Sequence, residues 1–66
     1  MKVQIINKFN NTTLYKFTLN GLSANCETER IKDRKGTLLR SETTYGFFEC
    51  YGISELKSFM LKNLNN

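Results

Sequence analysis

The periodicity of the chain changes at Gly52, and that change constrains the fold more than any other feature. Before it, residues of strand-forming type come in short runs, several of which alternate apolar with polar. After it, Ile53, Leu56, Phe59, Met60 and Leu64 recur at three- and four-residue intervals. Alternation sends side chains to opposite faces of a strand, whereas the longer spacing lines them up along one stripe of a helix. The pattern predicts an α+β domain: an antiparallel sheet of three to four strands, built largely of hairpins, with one C-terminal amphipathic helix packed on one face. Ser54 is placed to cap that helix, with Glu55 in its first turn and Lys62 in its last, the signs that suit the helix dipole.

Met1 to Lys8 and Thr13 to Leu19 are rich in Val, Ile, Thr, Tyr and Phe and predict the first hairpin. A three-residue loop, Asn10-Asn11-Thr12, would pair Val3 with Leu19 and Ile5 with Phe17, keeping one face apolar; an even loop would set Ile5 against Lys16. Asn20-Gly21 reads as punctuation, with Leu22 to Asn25 as a crossing. From Cys26 to Lys32 a helix would stack Glu29 on Asp33 and Arg30 on Arg34, so a strand is expected. Asp33-Arg34-Lys35-Gly36 suits a type I turn, with Thr37 to Glu42 as the return strand. Tyr45 to Tyr51 is apolar on both alternations apart from Glu49, and is either continuous with the preceding strand or set off by a bend at Thr44-Tyr45-Gly46.

Residues 1–66 read as one domain: there is no proline, no Gly/Ser-rich linker and no repeat. At this length a single core is near the lower limit of self-sufficiency, which leaves a homodimer open. The apolar run near the start is too short for a signal-peptide core and no stretch is long enough to span a bilayer, so the expectation is a cytoplasmic protein without membrane contact. Cys26 and Cys50 are then reduced thiols, and the absence of histidine removes the usual zinc spacings.

Charge supplies the main functional signal. Residues 30–40 hold five of the ten basic residues against one acid, Asp33, which accounts for the whole net charge of +4. On a hairpin, Arg30 and Lys32 share one face and Ile31 takes the other. A bulged register would bring Arg40 alongside Arg30, with Arg34 and Lys35 at the tip, making a cationic finger suited to phosphates or to base edges. A solvated hairpin tip is the alternative explanation for the same charges. Residues 1–25 add Lys2, Lys8 and Lys16 without an acid. Tyr45, Phe47 and Tyr51 would fall on one strand face, where exposed aromatics can stack on bases.

Tyr45-Gly46-Phe47-Phe48-Glu49 resembles the middle of the longer aromatic signature of RNA-recognition-motif domains, and Val3-Gln4-Ile5-Ile6-Asn7 resembles their shorter one. The resemblance implies Tyr45 and Phe47 as stacking positions. It departs from the family at Thr43 and Thr44, where a basic residue and glycine belong, and at Gln4 and Cys50, which replace aromatics. The family also requires a helix between Asn11 and Gly21, where the residues favour a strand. No family is assigned on this basis.

Catalytic vocabulary is sparse. General acid–base work would fall to scattered glutamates, and nucleophilic work to cysteines without an evident activating base. Cys26 and Cys50 read as small apolar packing residues. No cofactor, metal site or catalytic residue is predicted. The expected function is a small non-enzymatic binding or regulatory protein engaging nucleic acid, or a nucleic-acid-handling complex, through Arg30, Lys32, Arg34, Lys35, Arg40, Tyr45 and Phe47. The alternative is a protein–protein inhibitor or adaptor of the mobile-element, phage-like type, acting on a larger acidic partner.

Overall fold

The computed structural model describes residues 1–66. Five strands, β1 (Lys2–Phe9), β2 (Thr12–Leu19), β3 (Leu22–Asp33), β4 (Gly36–Thr43) and β5 (Gly46–Cys50), precede one helix, α1 (Ile53–Leu64). The strands lie in one antiparallel sheet in chain order, each joined to the next by a hairpin. This meander has β2 where the RNA-recognition motif requires a helix.

The sheet exceeds the expected three to four strands because Thr44-Tyr45 reverses the chain instead of bending it. Two of the turns share one construction. Lys35 N–H donates to Asp33 Oδ1 (2.8 Å), Tyr45 N–H donates to Thr43 Oγ1 (2.9 Å), and each turn ends on a glycine with positive φ: Gly36 at 131° and Gly46 at 116°. A short polar side chain mimics the turn hydrogen bond, and the glycine then takes a backbone conformation that a Cβ would oppose. Leu22 to Asn25 is no crossing. It is the start of β3, because Asn20 and Gly21 both take positive φ and close a two-residue turn on Leu19↔Leu22.

The β1–β2 register differs from the expected one in an instructive way. Asn10 takes positive φ (56°), so the loop is two residues, and Phe9 pairs with Thr12. Carried straight on, that register would set Ile5 against Lys16. An extra residue, Ile6, bulges from β1 and shifts the ladder, so that Ile5 faces Tyr15 and Val3 faces Phe17. The apolar pairing is preserved by the bulge and not by loop length.

Alternation and register put Tyr15, Phe17, Ala24, Cys26, Leu39 and Cys50 on the same face of the sheet, and these form one buried cluster with Leu56, Met60 and Leu64 of α1. Phe48 stacks on Phe59 with ring centroids 4.2 Å apart. Burial of a side chain the size of Phe17 or Leu56 contributes about 1.5–3 kcal/mol, a large share of the stability a chain this short can have. The cluster continues into a polar end: Thr13, Thr28 and Ser41 are buried, Thr28 and Ser41 share a hydrogen bond of 2.8 Å, and no buried side-chain polar atom lacks a partner. Glu55 and Lys62 occupy the first and last turns of α1 as expected, but the cap is Gly52, in extended conformation and without a side-chain hydrogen bond. Ser54 is already inside the first turn. No helix is long and apolar enough to cross a membrane.

Candidate binding surfaces

The cationic stretch is divided by the sheet it belongs to. The turn at Arg34-Lys35 holds a two-residue register, which pairs Arg30 with Leu39 and Glu29 with Arg40. Arg30 therefore points to the face of the buried cluster and Arg40 to the opposite face. The bulged register that would have joined them is absent, since Asp33 supplies the turn's hydrogen bond itself and Gly36 pairs directly with it.

Arg30 is engaged within the fold. Its two terminal nitrogens donate to Thr13 Oγ1 and Tyr15 Oη, both at 2.6 Å, and its backbone N–H and C=O bond to Asn11. The guanidinium fork matches two acceptors on β2, and half-burial strengthens both bonds. Arg40 is engaged as well: its Nε lies 3.2 Å from Glu49 Oε2 and its guanidinium sits 5.7 Å from the Phe47 ring centroid. Both partners of that ion pair are nearly half exposed, so the pair orients Arg40 more than it stabilises the sheet.

Lys32, Arg34 and Lys35 remain exposed. They stand at the end of the β3–β4 hairpin, which extends past the last β2 partner at Glu29 and past Leu39↔Cys50 on the β5 side. Asp33, the acid among them, is committed: its second carboxylate oxygen accepts from the Tyr51 hydroxyl at 2.6 Å. That bond, with the Lys35 backbone N–H, holds the Asp33 carboxyl below its ordinary range, and the same bond raises the Tyr51 phenol. Tyr45 and Phe47 do not share a strand face. Tyr45 belongs to the β4–β5 turn, Phe47 lies on β5 and is half exposed, and Tyr51 follows the strand.

Acidic residues gather at a place that no local pattern announces. Glu27, Glu29, Glu42 and Glu49 all occupy the face opposite the buried cluster. Glu27 and Glu42 are direct cross-strand partners, and Glu29 and Glu49 flank Arg40. A hollow there is lined by Thr12, Glu27, Glu29, Arg40, Glu42 and Phe47. Glu27 and Glu29 alternate within β3, but Glu42 joins them only once the β3–β4 register is known. Exposed apolar residues sit on or beside this face: Ile6, displaced by the bulge, at 53%, and Phe9 at 71%. Half-buried Ile31 and Leu38 pair across it near the tip.

Cys26 and Cys50 are free and buried, and burial pushes the Cys50 thiol up, away from the thiolate a nucleophile needs. No group of three His, Cys, Asp or Glu side chains is placed to share a metal ion. No family model matches the chain, and no curated protein or solved structure is significantly similar to it.

Proposed function

We propose that this chain is a small, non-enzymatic, cytoplasmic binding protein with a regulatory role, engaging nucleic acid or a nucleic-acid-handling complex through the projecting β3–β4 tip. The observation that carries this reading is the tip itself: Lys32, Arg34 and Lys35 are exposed beyond the neighbouring strands and outnumber the one acid there, Asp33, whose carboxylate is held by the Tyr51 hydroxyl. In this reading α1 closes one face of the sheet and serves as scaffold, while Arg30 braces the root of the finger and does not reach the ligand. Arg40 and Phe47 lie among glutamates that repel phosphate, so contact is confined to the tip and affinity is modest.

The charge contribution has a measurable signature. Binding of labelled duplex DNA and of single-stranded RNA, followed by anisotropy, should weaken as salt rises, with a log–log slope of about 0.9 per phosphate neutralised on duplex. Arg34→Gln with Lys35→Gln should flatten that slope by nearly two such contacts. Absence of binding at low salt, or binding indifferent to salt, removes the proposal.

A second reading is supported by the same narrowness of the tip. An inhibitor or adaptor of the mobile-element type would need only a compact acidic patch on a larger protein, and the glutamates would not oppose a partner that stops short of them. A complex that survives nuclease treatment, formed by a chain that binds neither oligonucleotide, would favour it.

A further inference from the structure

The two charged regions of this chain fit one another, but not within one molecule. Arg34 and Lys35 form the turn that closes the hairpin just beyond Asp33↔Gly36, two residue pairs from Ile31↔Leu38, so both lie about 7–10 Å from that pair at strand rise. Glu29 and Glu27 lie two and four residues before Ile31, about 7 and 13 Å in the other direction. Between them, half-buried Ile31 and Leu38 form an apolar cross-strand pair on the glutamate face.

We propose that two copies of the chain pair face to face through this region, strands antiparallel, about a two-fold axis at Ile31 and Leu38. Each copy's Arg34 and Lys35 then lie over Glu27, Glu29 and Glu42 of the other copy, while the Ile31–Leu38 pairs meet at the centre. Three observations favour a second copy as occupant. The free cations of the tip and the carboxylates lie on opposite sides of the apolar pair at comparable distances, as an isologous contact demands, and Arg40, the one cation on the carboxylate side, is already paired with Glu49. Glu27 faces Glu42 directly with no cation within ion-pair distance of either, a like-charge pairing that a basic neighbour relieves. The β1 edge offers a poorer route, since pairing it with its own copy about Ile5 sets Lys2 against Lys8, and Ile6 bulges from the ladder there.

The contact spans the ends of two strands and falls short of the roughly 800 Å² per partner of a standard interface, so the dimer is weak and concentration-dependent. Because it covers Arg34 and Lys35, it also competes with the ligand of the tip; that consequence alone rests on the function proposed above.

The test is sedimentation equilibrium of the full chain across a wide concentration range, at about 50 mM and about 500 mM salt, where screening lengths differ severalfold. The expected result is a monomer–dimer equilibrium whose dissociation constant rises about tenfold or more at the higher salt. Arg34→Glu with Lys35→Glu should abolish association, and so should Glu27→Lys with Glu42→Lys. An equimolar mixture of those two variants should recover a dimer, because each reversed tip then meets a reversed face. Recovery by mixing also shows that both variants fold, and circular dichroism of each alone checks this independently. A chain that stays monomeric at low salt overturns the proposal. So does association that the reversals leave unchanged, association that grows beyond two copies, or a mixture of folded variants that stays monomeric.

Discussion

The Tyr51 hydroxyl donates to Asp33 Oδ2 at 2.6 Å, joining the residue that follows β5 to the turn at the far end of the β3–β4 hairpin. One surface hydrogen bond thereby steadies the tip, fixes the Asp33 carboxylate and links the hairpin to the start of α1.

Tyr51→Phe should loosen the tip without unfolding the sheet. Amide hydrogen exchange at residues 34–36 should accelerate, and the Asp33 carboxyl, followed by NMR, should titrate closer to its ordinary value of 3.8. The pH dependence has two limbs. The lowered Asp33 pKa contributes stability that is complete above 3.8 and is lost as pH falls through the lowered value. The raised Tyr51 pKa contributes stability that is complete below 10.0 and is lost as pH rises through the raised value. In the phenylalanine variant both limbs should flatten; unchanged limbs would mean the bond is not formed in solution.

Arg30→Ala leaves Thr13 and Tyr15 without their shared donor beside the core, and should destabilise the fold by about 1–3 kcal/mol in chemical denaturation. Arg30→Lys should recover only part of this, since one ammonium cannot reproduce the guanidinium fork on two acceptors. Full recovery by lysine would show that charge, and not the fork, matters here.

Leu56 is fully buried where α1 meets the sheet, whereas Leu61 on the same helix is 42% exposed. Leu56→Ala should cost about 2–5 kcal/mol, enough to leave much of a chain this size unfolded at room temperature. Leu61→Ala should be near neutral by thermal melting.

Glu42→Gln removes one member of the Glu27–Glu42 cross-strand pair. At low salt the melting midpoint should rise, and the gain should shrink as salt screens the repulsion in the parent protein. A gain independent of salt would point to a cause other than charge.

Deleting Ile6 should leave the fold intact. Ile5 already pairs with Tyr15 and Asn7 with Leu14, so removal of the bulged residue makes β1 a regular strand without moving another side chain to the wrong face. The flatter edge should make the protein more prone to edge-to-edge aggregation, measurable by light scattering during a thermal ramp.

Much of this architecture could be read from residue order. The period change at Gly52 located the helix and its Leu56, Met60 and Leu64 stripe. The Asp33 to Gly36 turn was legible because its chemistry is local: a side chain bonding two residues along, then a glycine. Strand number was underestimated for a related reason. Thr44-Tyr45 has no asparagine or proline to announce a reversal, and the threonine that builds that turn, Thr43, does so through a hydroxyl of a kind that elsewhere in the sheet bonds across strands, as Thr28 does with Ser41.

The candidate surfaces were far less legible, because cross-strand neighbours depend on register and one residue of slip exchanges the two faces. Arg30 and Arg40 look like members of one basic run, yet the two-residue turn separates them by the thickness of the sheet, and each finds an intramolecular partner that no local pattern announces. Glu27, Glu29, Glu42 and Glu49 are scattered over 23 positions and meet only when three strands align. Local chemistry thus accounts for the helix, the strand-forming segments and the Asp33 to Gly36 turn, which depend on interactions a few residues long. Which charges stand free, which are paired and which face each occupies were decided by strand pairing, an interaction between residues that the linear order leaves far apart.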